Sequence, residues 1–161
     1  MRYEGCMPVL AFENFAAALP ARCAVAGLDL GEKTIGIAVS DAMRMVGSPL
    51  KTLRRSKFTA DLERLFAILD ERAIGALVVG LPLNMDGTEG PRCQSNRAFA
   101  RNLLQRRDLP LLFWDERLST AAVTRMMIDE HDLTRKRQAQ AVDKLAAAWI
   151  LQGALERLRG V

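Results

Sequence analysis

From residue 23 onward the chain alternates short apolar runs with segments of helical period, and the order of these patterns predicts a fold. Residues 23–30 and 34–40 are two strand-like runs joined by Gly31-Glu32-Lys33, the pattern of a hairpin. A third run, about 46–53, carries Pro49, which cannot donate to a ladder and so belongs near an edge or a bulge. These three read as a meander. Leu62, Leu65, Phe66 and Leu69 then recur at helical spacing, with Thr59 a candidate cap, and 73–80 follows as a buried strand. The turn-rich stretch 81–90 leads to Pro91, suited to the first turn of a helix that carries Phe99, Leu103 and Leu104 to about residue 107. Residues 111–114 form the fifth strand. Ser119 or Thr120 caps a helix to about residue 129, a polar basic loop follows, and Val142, Leu145, Ala146, Trp149, Ile150 and Leu158 mark a final helix. Three antiparallel strands followed by β-α-β units make a mixed five-stranded sheet with helices on both faces, an α/β architecture. Residues 1–22 read as an N-terminal extension and 23–161 as a single domain.

Composition narrows the class. At 161 residues, half of them apolar and 26% charged, the chain has the make-up of one ordinary soluble domain with a proper core. Cys6, Cys23 and Cys93 are odd in number and widely spaced, which suggests neither a disulfide framework nor a zinc site. The N-terminus does not read as a signal peptide and no apolar run approaches the roughly 18 residues of a membrane span, so a cytoplasmic protein is expected. The net charge of +4 favours a polyanionic partner. Its bases gather at Lys51, Arg54, Arg55 and Lys57, at Arg101, Arg106 and Arg107, and at Arg135, Lys136 and Arg137.

Three acids stand out against this background. Asp29 ends the apolar run 24–28, Glu116 follows the run 111–114, and Asp143 interrupts the apolar stripe of the last helix, where Ala146, Ala147 and Ile150 share its side. Carboxylates are seldom buried unless paired or metal-bound, and three gathered at one point would repel unless a divalent cation neutralised them. Oxygen ligands of this type suit Mg2+ or Mn2+ rather than zinc, which points to metal-dependent hydrolysis of phosphodiesters. Gly27 and Gly31, flanking Asp29, would leave room for a phosphate backbone. Each acid also has a plainer role open to it: Asp29 in an Asx-turn, Glu116 paired with Arg117 or beside a helix N-terminus, Asp143 as a first-turn helix acid. Asp115 could replace Glu116 as the ligand.

Four stretches carry a resemblance to a known family. Residues 27–41, opening Gly27-Leu28-Asp29-Leu30-Gly31, resemble the first motif of the YqgF family of Holliday-junction-resolvase-like proteins, also described as pre-16S rRNA nucleases. Residues 78–90, which contain Gly80-Leu81-Pro82-Leu83-Asn84-Met85-Asp86-Gly87, are similar to its central loop. Asp115-Glu116-Arg117-Leu118-Ser119-Thr120 is similar to its third motif, and the stretch from Asp143 to Gln152 to its C-terminal one. Thr34 departs from the pattern, standing where an arginine is common, and removes one possible phosphate contact.

The resemblance implies a ribonuclease-H-like fold and an acidic site of Asp29, Glu116 and Asp143, each both catalytic and a metal ligand for Mg2+ or Mn2+. It also implies hydrolysis of structured RNA, with 5'-end processing of pre-16S rRNA in ribosome biogenesis as the role. Resolution of Holliday junctions in DNA is the nearest alternative, and a catalytically weak nucleic-acid-binding regulator a further one. Lys33, Asn84, Asp86, Gly87 and Arg117 are candidate substrate contacts, as are Arg135, Lys136 and Arg137 in a flap before the last helix. His131, between Glu130 and Asp132, reads as a solvated loop residue. The protein could act as a monomer or, on symmetric junctions, as a homodimer.

Overall fold

The computed structural model describes residues 10–118 and 135–160, so the helix expected over 119–129 and the residue His131 lie outside the described residues. Strands β1 (Ala24–Leu30), β2 (Thr34–Ser40) and β3 (Gly47–Arg54) follow a short helix, α1 (Phe12–Ala18). Then come α2 (Phe58–Glu71), β4 (Ile74–Leu81), α3 (Pro91–Arg106), β5 (Leu111–Asp115), a 3-10 turn (Glu116–Leu118) and α4 (Arg135–Arg159). The sheet order is β3-β2-β1-β4-β5. Strand β1 pairs antiparallel with β2 and parallel with β4; β2 pairs antiparallel with β3, and β4 parallel with β5. The expected meander and β-α-β order are therefore present, with β1 at the centre.

Pro49 sits on the edge strand β3, beside a register shift that pairs Ile37 with Lys51 but Ala38 with Pro49. The skipped Leu50 forms the bulge that lets an edge strand accept proline.

Alternation along the strands assigns the two faces. Ala26, Leu28, Leu30, Ile35, Ile37, Leu77, Val79 and Leu111 join α2 and α3 in one buried cluster. The intervening residues Val25, Ala38, Ala76, Val78 and Leu112 join Phe12 and Phe15 of α1 and Ala147, Ile150, Leu151 and Ala154 of α4 in the other. Helix α1 is tied down as well by the Leu10 N–H donating to Leu111 O at 3.0 Å and by the Arg157 guanidinium 4.0 Å over the Phe12 ring.

Two expectations about helix starts are corrected. Helix α2 begins at Phe58 behind Lys57, so Thr59 lies inside the first turn and is not the cap. The end is secured instead by Asp61, 2% exposed, whose carboxylate accepts from the Ser56 N–H, the Ser56 hydroxyl and Arg64. Helix α4 begins at Arg135, so Arg135, Lys136 and Arg137 form its first turn and not a loop ahead of it. The physical reason is composition: residues 135–152 contain no Gly or Pro and are rich in Arg, Lys, Gln and Ala, all good helix formers. Among the described residues no helix is long and apolar enough to cross a membrane.

Candidate active site

Strand parity puts all three acids on the α4 face of the sheet. Asp29 shares the face of Val25 and Gly27 on β1, and Glu116, just past β5, continues the face of Leu112 and Trp114. Asp29 pairs across the ladder with Gly36, and a Cβ built at Gly36 would collide with the backbone carbonyl of Asp143. Glycine at 36 thus lets α4 lie directly on β2 and delivers Asp143 beside Asp29. Gly80 does the same for Glu116, whose side chain occupies the space a Cβ would fill. Gly27 is different from expectation: the room above it is taken by Ala147 and Leu151 of α4, so it packs a helix and admits no phosphate. Gly31 belongs to the β1–β2 turn, its N–H donating to Thr34 O at 2.9 Å.

The electrostatics of the cluster are those of too many carboxylates in too little water. Burial, then the charges of Glu116 and Asp143, push the Asp29 carboxyl up to about 7, against the pull of Arg92. Burial also raises the Glu116 carboxyl, again opposed by Arg92, while the hydrogen bond from Asp29 lowers it. The pair therefore shares a proton that resides on Asp29 and is donated to Glu116. Asp143 faces Thr34, whose hydroxyl donates to its Oδ2 at 2.5 Å. Asp115 acts on the pair only through its charge, which helps raise Glu116, while Arg117 grips it through a forked set of hydrogen bonds and holds its own carboxyl below the usual range. It is thus Asp115, not Glu116, that pairs with Arg117.

The expected substrate contacts divide. Asn84 and Asp86 both turn inward on Thr88: the Asn84 amide donates to the Thr88 hydroxyl at 3.0 Å, and Asp86 accepts from the Thr88 N–H and hydroxyl. Gly87, at φ +87°, allows the tight turn, and Arg117 donates to Met85 O, joining this loop to the segment that bears Glu116. Lys33 is exposed on the β1–β2 turn, apart from the acid pair and beside Arg54, Arg55 and Ser56. Arg135 starts α4 eight residues, about two turns, before Asp143. Sequence reasoning missed Arg92, the cation that acts on both acids, and Thr34, valued there only for the arginine it lacks. A basic residue in the first turn of a helix carries no local signal of a charge reached through the fold.

Carboxylate oxygens are hard donors of the kind that suit Mg2+ or Mn2+. Among the described residues no three acid, His or Cys side chains already enclose an ion position.

Comparison with known proteins bears on the family and the fold. A family model described as RuvX, Holliday junction resolvase, matches residues 23–157. A protein of Caulobacter vibrioides, named "Putative pre-16S rRNA nuclease", is 65% identical over 156 residues, covering 96% of this chain and 100% of the relative. A protein of Rhodospirillum rubrum with the same name is 58% identical over 152 residues, 94% of each chain. Among solved structures, RuvC of T. thermophilus in complex with Holliday junction substrate matches with a TM-score of 0.53 at 14% identity, over 84% of this chain and 96% of that one. The architecture is thus ribonuclease-H-like, and the chain belongs to the RuvX family of Holliday-junction-resolvase-like nucleases.

Proposed function

We propose that this chain is a divalent-metal-dependent nuclease that hydrolyses phosphodiester bonds in structured RNA, acting in the cytoplasm on the 5' end of pre-16S rRNA. One observation carries the reading. Asp29 and Glu116, 87 residues apart in sequence, are brought into one hydrogen-bonded, largely buried pair, and burial with the charges of Glu116 and Asp143 raises the Asp29 carboxyl. Asp29, Glu116 and Asp143 would hold the metal, which would supply Lewis acidity to a phosphoryl oxygen and acidify a water.

The chain's own residues set the conditions. Asp29, on the central strand, pairs with Gly36 of β2 and follows Leu28, which pairs with Val79 of β4, an anchorage that favours a precise ligand position. Arg92 lowers the cost of ionising both acids and is placed to attract an anionic substrate. Thr34 orients the Asp143 carboxylate by its hydrogen bond. Arg117, by bracing the 84–88 loop against Asp115, keeps Asp115 from competing with Glu116.

The family description favours a second reading, cleavage of four-way DNA junctions. The test is cleavage of end-labelled precursor rRNA beside a labelled four-way junction, with magnesium or manganese, by wild type and Asp29→Asn. Metal-dependent cutting of the RNA that the variant lacks supports the maturation nuclease, and preferential cutting of the junction supports the resolvase. Absence of cutting by wild type, with binding retained in both proteins, overturns the catalytic assignment in favour of a binding module.

A further inference from the structure

Two open depressions lie on the surface formed by the β1–β2 turn, the end of β3 and the start of α3, and Arg92, whose charge acts on Asp29 and Glu116, lines the first of them. The first, about 550 Å³, begins at Leu30 and Gly31, next to Asp29, and includes Arg92, Arg55 and Ser95. The second, about 560 Å³, is lined by Lys33, Arg54, Arg55 and Ser95. They share Arg55, Ser95 and Glu32, so they form one trough leading away from the site. Four cations, Lys33, Arg54, Arg55 and Arg92, face one carboxylate, that of Glu32. An open, basic, continuous channel suits a linear polyanion passing through it better than an enclosed small molecule.

Arg55 is the fixed point of this trough. Its backbone N–H donates to Lys33 O at 2.8 Å, and its guanidinium donates to Gly31 O at 2.7 Å. The same guanidinium lies 5.6 Å from the centroid of the Phe99 ring, itself buried and held edge-on by Phe58. A guanidinium has five N–H donors, and only one is spent on Gly31. The remaining donors are held in place at the junction of the two depressions, so little rotamer freedom is lost when an anion binds.

We infer that this trough is the track for the nucleic-acid strand flanking the cleaved bond, with Arg55 as a preorganised phosphate-binding residue and Arg92 at its catalytic end. The ligand is a phosphodiester backbone, RNA or DNA. This inference rests on the nuclease reading for its direction but not for its test, which is binding alone.

The experiment measures anisotropy of fluorescently labelled single-stranded RNA and, in a separate arm, single-stranded DNA, without divalent metal, across a series of salt concentrations. Arg55→Ala is expected to weaken binding about tenfold and to flatten the slope of log K against log salt by about 0.7, the value of one phosphate contact on a single strand. Arg72→Ala removes the same charge at the opposite end of the sheet, where β1 Ala24 pairs with β4 Ile74, and is expected to change affinity by less than about twofold. Ser95→Glu, an exposed substitution inside the trough that leaves the core intact, is expected to weaken binding at least as much as Arg55→Ala. Equal effects of Arg55→Ala and Arg72→Ala, or wild-type affinity in Ser95→Glu, overturn the track even if wild type cleaves RNA. Wild-type binding that obeys this pattern without any cleavage upholds the track and overturns the catalytic reading instead. A loss confined to the RNA arm or the DNA arm identifies which backbone the trough serves.

Discussion

Replacing Asp29 by Asn should make the protein more stable while abolishing its activity. The carboxyl at 29 has its pKa raised from 3.8 to about 7 in the folded chain. Between those values the folded state keeps a proton that the unfolded chain has released, so the full stability is present below about pH 3.8 and is lost as pH rises through about 7. The loss is about 3 units at 1.36 kcal/mol each, or ~4 kcal/mol as an upper bound at neutral and alkaline pH. Glu116 shares the proton and relaxes when its neighbour is neutral, so a gain on the order of 2–4 kcal/mol is expected for the variant. Asparagine is a fair mimic of the protonated acid, since its amide can donate to Glu116 as the Asp29 hydroxyl does. Urea unfolding in the presence of a chelator, from about pH 4 to about pH 8, reads this directly. The two proteins should converge at the acid end and separate progressively above it, by ~1–2 M in midpoint for a slope of about 2 kcal/mol/M. Magnesium added at the alkaline end should stabilise wild type and leave the variant unchanged, because only the ionised pair gains from a cation. A wild-type profile flat across this range, or a variant no more stable than wild type at about pH 8, would refute the assignment of a shared proton to Asp29.

Other outcomes follow from the same geometry. Gly36→Ala should cost ~1–3 kcal/mol in urea unfolding and reduce cleavage further than that loss explains, because its Cβ meets the backbone of Asp143 and Lys144 and must displace α4. Gly90→Ala, whose Cβ would meet only the Asn84 side chain at ordinary van der Waals distance, should stay within about 0.5 kcal/mol of wild type, and a similar cost at both positions would count against a close-packed helix. Arg92→Gln removes a charge that holds both acids down, so the acid limb of the pH–rate profile should move to higher pH; an unmoved limb means Arg92 does not act on the pair. Asp61→Ala should cost ~1–2 kcal/mol at neutral pH, as the Ser56 N–H and Arg64 lose their acceptor. Burial alone would raise the Asp61 carboxyl, but the bonds from Ser56 and Arg64 outweigh it and lower it, so this contribution is present above about pH 3.8 and disappears as pH falls through the depressed value. A gap between Asp61→Ala and wild type that persists in strong acid would contradict that account.

The sheet was legible in the sequence because its strands announce themselves locally: alternation sets the faces, Pro49 marks an edge, and Gly31-Glu32-Lys33 marks a turn. Helix starts were less so. Thr59 looked like a cap because a hydroxyl near a helix start usually is one, whereas the work is done by Asp61 reaching back from inside the helix. The candidate acids could be named from Asp29, Glu116 and Asp143 alone, but not their inequality. Which carboxyl is raised furthest depends on burial and on Arg92, and Asp115 is engaged by Arg117, one fold-dependent and one local effect that the residue string does not rank. Gly27 misled for a related reason. A glycine next to an acid has the same signature whether it admits a phosphate or a helix, and only the position of Leu151 decides between them.

The floor that Gly27 and Gly36 provide for α4 also bears on the order in which the protein is made. Strand β1 emerges early but sits in the middle of the sheet, and its parallel neighbour β4 follows more than forty residues later. Helix α4, the last element, covers Gly27 and Gly36 and brings Asp143. A growing chain that already displays Asp29 and the 84–88 loop still lacks its third acid, and its glycine floor is open to water. On the proposed three-acid site, a chain truncated before α4 would lack Asp143 and leave Gly27 and Gly36 uncovered, and so would not cut.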